Sequence, residues 1–274
     1  MDPLTVVTGY FNLGSFQKSD DKIFTNAIYR QWMTVFSSIN NPVIVFMDTD
    51  SDLEFFAKVR SSLPSNLTKL IKVKRNETWA FSLEEKISKI FKQPGYPRHH
   101  PNTINPAYSM SMHAKYELMA IAIRDNPFRT KYFCWMDIGL FRRLTSSTSV
   151  ENPEKPFTPL FRLELPSNFL TNSVAYTQVY PRDSLLTLRQ IIYDNEVWLC
   201  GCYFVGEGST LMRWTQEYRR ATMSMLENNL MSTDQQVIYY MFNELKPTTN
   251  IQTYIGDNRF GKWFHLGYFS RHVL

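Results

Sequence analysis

Cysteine is scarce. Three residues, Cys134, Cys200 and Cys202, in a chain of 274 cannot build the disulfide framework of a small secreted domain. Cys200 and Cys202 stand two apart in an apparent strand, share a face and are expected not to bridge each other. With Cys134 they read as buried thiols in a reducing compartment. No apolar run reaches the ~18 residues of a membrane-spanning helix, so no span is expected. No basic leader precedes the first apolar segment, Leu4-Thr5-Val6-Val7, and a cytoplasmic setting is the expectation. Two sequons, Asn66-Leu67-Thr68 and Asn76-Glu77-Thr78, keep a Golgi or ER lumen open for a chain that has lost a signal or anchor. Long runs of one charge are missing too. Lys and Arg number 30 against 25 Asp and Glu, a net +5, and the basic clusters are as short as Lys72-Val73-Lys74-Arg75. This is no nucleic-acid signature, and it suits an anionic small ligand. Gly-x-Gly-x-x-Gly, the P-loop, Gly-x-Ser-x-Gly and paired Cys-x-x-Cys do not occur. Their absence weighs against dinucleotide oxidoreductases, P-loop kinases, serine hydrolases and zinc ribbons.

Aromatic residues are plentiful: 20 Phe, 15 Tyr and 6 Trp. Such rings fill cores, and a surplus also lines sites for bases and sugars. With 43% hydrophobic and 20% charged residues the chain is globular, and its length suits one large domain.

Apolar strand-like runs alternate with helical stretches through the first half. Strands are expected at 4–8, 43–47, 70–73 and 131–136, and helices at about 21–38, 53–62, 82–91 and 109–124. Ser82-Leu83-Glu84-Glu85 has the form of a capping box. This order predicts a three-layer α/β domain with a mostly parallel sheet, whose ligands bind beyond the carboxyl ends of the strands. A Pro-rich junction follows at 145–169. It separates a first half, residues 1–144, from a second, residues 170–274, with strands near 175–179 and 197–205 and helices near 184–193, 209–229 and 232–245.

Three acids stand at predicted strand ends. Asp137 follows the apolar run Tyr132-Phe133-Cys134-Trp135-Met136, where a carboxylate serves as a ligand for Mn²⁺ or Mg²⁺, or as a turn cap; Gly139 permits a close approach. Asp48 follows Val43–Met47 in Asp48-x-Asp50-x-Asp52. Haloacid-dehalogenase phosphatases open similarly, but Asp52 stands where they carry Thr or Val, and their later Gly-Asp-x-x-x-Asp is half met, by Gly256-Asp257. Asp50 and Asp52 read as caps of the next helix. Glu207 lies between Gly206 and Gly208 at the third strand exit. On a helical wheel over 109–124, Lys115 falls within the apolar arc, opposite His113, Glu117 and Arg124. Its desolvation calls for a partner, Asp137 or a substrate phosphate. Asp234, in the first turn of a helix, reads as a dipole partner or as a general base. His265, among Trp263, Phe264 and Tyr268, reads as a core histidine or a metal ligand.

Asn105-Pro106-Ala107-Tyr108, Lys115-Tyr116-Glu117-Leu118, Asn126-Pro127-Phe128-Arg129-Thr130 and Trp135-x-Asp137-x-Gly139 resemble the HtrL/YibB family, as does the opening Thr5–Tyr10. The resemblance implies a largely uncharacterised, glycosyltransferase-like protein associated with lipopolysaccharide-core loci. The layout also resembles GT-A glycosyltransferases. That implies a GT-A-like three-layer α/β/α sandwich with a mostly parallel central sheet and a smaller C-terminal acceptor-side lobe. It also implies a nucleoside diphosphate sugar as donor, a glycan as acceptor and Mn²⁺ (or Mg²⁺) on the diphosphate. On this resemblance Thr8, Gly9 and Tyr10 hold the nucleoside and Asp137 matches the first acid of an Asp-x-Asp metal motif. His265 matches its late histidine, and Asp234 or Glu207 matches the acceptor-side acid. Gly139 departs from the motif by replacing its second Asp, which leaves Asp48 as a substitute ligand and Lys115 to neutralise the diphosphate. The alternatives are an Asp48-centred phosphotransferase and a carbohydrate-binding protein without turnover.

Overall fold

A computed structural model describes residues 4–19, 21–145, 150–156, 158–256 and 261–274; Asp257 of the half-met phosphatase motif lies outside them. Seven strands form the central sheet: β1 (Leu4–Tyr10), β4 (Val43–Met47), β5 (Thr68–Lys72), β6 (Tyr132–Met136), β8 (Ser173–Gln178), β9 (Leu199–Glu207) and β10 (Asn250–Ile255). Their order is β10-β8-β9-β6-β1-β4-β5. Every neighbouring pair is parallel except the two that involve β9. The second half does not stand apart as a lobe, since β8, β9 and β10 extend the sheet of the first.

The inner strands β4 and β6 are apolar on both sides because both faces are covered. Along β1, Val7 joins one apolar cluster, and Leu4, Val6 and Tyr10 join the other. Along β6, Phe133 and Trp135 face the first, and Tyr132, Cys134 and Met136 face the second. The first is covered by α3 (Glu84–Phe91), α4 (Pro106–Asp125), α5 (Leu188–Tyr193), α6 (Gly208–Glu227) and α7 (Asp234–Tyr240). The second is covered by α1 (Asn26–Met33), α2 (Asp50–Val59) and α8 (His265–Phe269). The three layers expected from the sequence are therefore present. Two short ladders complete the fold: β2 (Phe16–Ser19) with β3 (Lys22–Phe24), and β7 (Phe161–Leu163) with β11 (Arg271–Val273). Among the described residues no helix is long and apolar enough to cross a membrane.

Helix α4 positions most of the site. Asn105 caps it by accepting from the Tyr108 amide at 3.2 Å, and Pro106 occupies its first turn. Twenty residues span about 30 Å at 1.5 Å each, enough to cross the sheet. The helix stops at Asn126, whose φ of 31° is left-handed. The Asn126 side chain then closes the turn into β6, donating to Thr130 O and accepting from Thr130 N, both at 3.0 Å. Helix end and strand start are thereby locked together.

Several expectations shift. The predicted helix at 21–38 begins only at Asn26. Lys22–Phe24 is instead the return strand of the β2–β3 hairpin, and Thr34–Ser38 tightens to a 3₁₀ turn. The Ser82 capping box does not form, for the Ser82 hydroxyl donates to Trp79 O and the preceding turn is 3₁₀. At α7 the capping box lies one residue later than Ser232-x-x-Gln235, on Thr233 and Gln236. His113, placed in a polar sector, is fully buried against α6. Its Nδ1 lies 2.7 Å from the Tyr218 hydroxyl, and burial pushes its pKa down to about 3.

Candidate functional site

Strand β1 leads to β4 and β5 on one side, and the chain then returns across to place β6 on the other. The carboxyl ends of β1 and β6 therefore flank a topological switch point, where open α/β sheets bind ligands. A cavity of about 140 Å³ lies there, lined by Gly9 and Tyr10 of β1, by Phe11 just after it, and by Asp137, Ile138 and Gly139 after β6. The remaining wall is rich in aromatic rings. Phe16 and Phe24 come from the hairpin, Tyr29 and Trp32 from α1, Tyr108 from α4, and Phe264 from the approach to α8. A cavity near 150 Å³ accommodates one six-membered ring.

The floor carries charge. Lys115 points up from α4 and is 3% exposed. Its Nζ lies 3.1 Å from Asp137 Oδ1, 3.2 Å from Asp234 Oδ2 and 3.1 Å from the Gly201 carbonyl oxygen. Burial opposes the ammonium, but Asp137 and Asp234 outweigh it, so the Lys115 pKa is raised. Trp135 Nε1 donates to Asp137 Oδ1 at 2.7 Å, and the Asp137 amide donates to Cys202 O at 2.9 Å. Burial raises the pKa of the Asp137 carboxyl against the pull of Lys115 and Trp135.

Two more cations face the cavity. Lys18, on the hairpin, donates to the Tyr108 hydroxyl at 2.6 Å and sits 4.6 Å from that ring's centroid. Arg142 lies 4.5 Å from the centroid of Phe264 and 5.6 Å from that of Trp32. Among the described residues neither is in a salt bridge. Burial, and then repulsion from Lys115, push the Lys18 pKa down to about 8, with Asp137 and Asp234 opposing. Among the described residues that line the cavity, Asp137 is the one carboxylate, against Lys18, Lys115 and Arg142. Even counting Asp234 behind Lys115, one positive charge is in excess among the described residues.

The sequence candidates separate under this geometry. Gly9, Tyr10, Lys115, Asp137 and Gly139 line the cavity. A Cβ on Gly9 would stand 2.9 Å from Leu118, and one on Gly139 2.9 Å from the Trp32 ring, so both glycines admit packed side chains. Thr8 is sealed inside the sheet opposite Val45 and does not reach the cavity. Asp234 is 2% exposed and turned to Lys115, so it is not an acid on the cavity wall. Glu207 lies at the opposite end of the sheet. The antiparallel β9 pairs Glu207 with Tyr132, the first residue of β6, and its carboxylate meets Lys131 at 3.7 Å.

Asp48 is withdrawn into a local network, accepting from the Asn12 amide at 2.9 Å and from Arg75 Nε at 2.6 Å. Helix α2 is capped by Thr49 rather than by Asp50 or Asp52. Asp52 is fully buried, accepting from Arg30 Nε at 2.9 Å and the Thr49 hydroxyl at 2.7 Å, and Asp50 pairs on the surface with Lys72. His265 stacks on Phe269 at 5.7 Å and packs its Cβ against Gly256; it does not line the cavity. Mn²⁺ or Mg²⁺ fits these residues poorly. Both Asp137 oxygens are engaged by Lys115 and Trp135, and among the described residues no three His, Cys, Asp or Glu side chains gather.

Two features had no signal in the sequence reading. Lys18, Tyr29, Trp32 and Arg142 carry no functional signal of their own in the sequence, and Tyr108 enters only as part of the Asn105–Tyr108 stretch of the family resemblance, with no role attached. Gly201 is the other: a Cβ there would stand 2.0 Å from Asp234 Oδ2, so only glycine lets the Lys115 cage close. The flanking cysteines also correct an expectation, because Cys200 and Cys202 are joined as a disulfide. Two residues of regular strand advance about 6.6 Å, but the register with β8 shifts between Tyr176 and Gln178, and the bent β9 brings these Cα atoms to 5.4 Å. Cys134 is a free buried thiol.

No curated protein matches the chain. The segments that build the cavity, from β1 through the α4 lysine and the Asn126 turn to Asp137, carry the family resemblance. The model described as "Bacterial protein of unknown function (HtrL_YibB)" matches residues 2–270. The chain therefore belongs to the HtrL/YibB family.

Proposed function

We propose that this protein is a GT-A-like glycosyltransferase, moving a sugar from a nucleoside diphosphate sugar to a hydroxyl of a glycan acceptor. One observation carries the reading: an aromatic-rich cavity at the β1/β6 switch point with two cations, Lys18 and Arg142, that form no salt bridge among the described residues. Apolar ring faces suit a sugar or a base, and unpaired cations suit a phosphate. The parallel first half that carries the site is the layout the GT-A resemblance implies.

In the transfer, the acceptor oxygen bonds to the anomeric carbon as the bond from that carbon to the diphosphate breaks. The diphosphate departs with the bonding electron pair, and the hydroxyl proton passes to a base. Positive charge fixed at the leaving group stabilises the transition state. Asp137 is the cavity's own carboxylate, and its raised pKa suits a proton acceptor. Tyr10, at the end of β1, faces the donor's ring.

Isothermal titration with UDP and GDP tests the donor. Release of nucleoside diphosphate from a panel of nucleotide sugars tests the transfer. No binding of any nucleoside diphosphate at millimolar concentration removes the reading. A carbohydrate-binding protein without turnover is the second reading, favoured by a cavity of about 140 Å³ that holds a single ring. Sugar binding without nucleotide binding selects it. The Asp48-centred phosphotransferase has no comparable support, because Asp48 is saturated by Arg75 and Asn12.

A further inference from the structure

We propose that the donor's phosphate groups are held without a metal ion. The Lys115 ammonium fills the place between two carboxylates that a divalent cation takes in a metal-dependent site, and Lys18 and Arg142 take the phosphate charge directly.

The inference rests on the donor reading above for the identity of the ligand, and on the charges of the cavity alone for how its anion is bound. Lys115 Nζ touches Asp137, Asp234 and the Gly201 carbonyl, all within 3.2 Å. This is an oxygen cage around a cation, closed by a glycine that cannot be enlarged. A divalent ion needs six or more oxygens, and here the carboxylate that faces the cavity is already shared between an ammonium and an indole N–H. The Lys115 charge is spent inside the cage. Lys18 and Arg142 form no salt bridge among the described residues, where their side chains hydrogen-bond to the Tyr108 hydroxyl and the Gly139 carbonyl. Both lie over aromatic faces, which hold a cation in place without neutralising it.

The two cations come from opposite sides: Lys18 from the β2–β3 hairpin, Arg142 from the turn after β6. Asp137 interacts electrostatically with both, so an anion held by the two cations lies near the proposed acceptor base. The groups that face Lys18 are Lys115 and Tyr108 on α4, Asp137 and Arg142 after β6, and Asp234 on α7. A bound phosphate supplies the negative charge this set lacks.

Isothermal titration of pyrophosphate into the full chain, first in EDTA and then in Mn²⁺, reads the proposal. The expected affinities agree within about twofold, and in EDTA Lys18→Gln and Arg142→Gln each weaken binding by about tenfold or more. Lys18→Arg, which keeps the charge, holds binding within about threefold. Binding that appears only with Mn²⁺, an unchanged affinity in Lys18→Gln, or no pyrophosphate binding at millimolar concentration overturns the proposal. UDP and GDP in the same EDTA buffer judge the donor reading separately. Pyrophosphate binding without binding of either nucleotide leaves the anion site standing and removes the nucleotide.

Discussion

Strands β4 and β6 flank β1, run in the same direction, and both end in an aspartate. At the tip of β4 the acids are consumed by their surroundings. Asp48 is tied to Arg75 and the Asn12 amide, and Asp52 to Arg30, Asn12, Asn26 and Thr49. Each donor has a matching acceptor, and the cluster fixes how loop 11–14 and helices α1 and α2 meet. At the tip of β6 the balance is unequal. Asp137 and Asp234 pair with Lys115, Lys18 and Arg142 stand around the same aromatic-rich cavity, and among the described residues one positive charge is left over. An acid at a strand tip is therefore no mark of a site by itself. The mark is charge that the protein brings together and does not neutralise.

The comparison breaks first at Lys115. Replacing it with Met leaves the buried Asp234 carboxylate without its cation, facing the partly exposed Asp137. The expected loss is about 3–5 kcal/mol of stability, read from denaturant midpoints. The double variant with Asp234→Asn recovers part of that loss if the pair is coupled as the distances indicate. Gly201→Ala is next. Its Cβ displaces Asp234 from Lys115, and overpacking of this kind costs about 1–3 kcal/mol.

Lys18→Gln and Asp48→Asn then separate the two tips. The first is expected to leave the unfolding temperature near the wild-type value while weakening nucleoside diphosphate binding by about 1.4 kcal/mol or more. The second lowers the unfolding temperature and spares binding, because Asp48 supports the fold and does not line the cavity. A smaller effect follows from pH. Only the ammonium form of Lys18 attracts phosphate, and it loses its proton as pH rises through about 8. Diphosphate affinity therefore falls above that value in wild type, and flattens in Lys18→Arg. In the unliganded protein the sign is opposite. The unfolded chain holds the Lys18 proton to higher pH, so this residue's contribution to stability rises with pH from about 8 toward the ordinary lysine value. Smallest is Asp50→Asn. It removes an exposed pair with Lys72 and costs about 0–1 kcal/mol.

The inner strands of the sheet's first half are legible because β4 and β6 are apolar at every position, as suits parallel strands buried on both faces. Asp137 was legible as the first polar residue after such a run, and Lys115 as a charge in an apolar arc with no local partner. Strand direction was not legible. Glu207 was placed near the site because it ends a strand, and nothing within β9 says that it runs against its neighbours. The hairpin was not legible either. Lys22–Phe24 offers three residues, too few to show an alternation, and it was absorbed into the following helix. That error hid Lys18. Gly201 and Asp234 meet Lys115 across 86 and 119 residues of sequence, a distance that no periodicity or local motif spans.

The most direct test is calorimetric titration of UDP and GDP into wild type, Lys18→Gln and Asp48→Asn at pH 7. The account predicts that at least one nucleotide binds wild type and Asp48→Asn alike and binds Lys18→Gln about tenfold or more weakly. Loss of binding in Asp48→Asn with Lys18→Gln unchanged, or no binding to wild type at millimolar nucleotide, would contradict it.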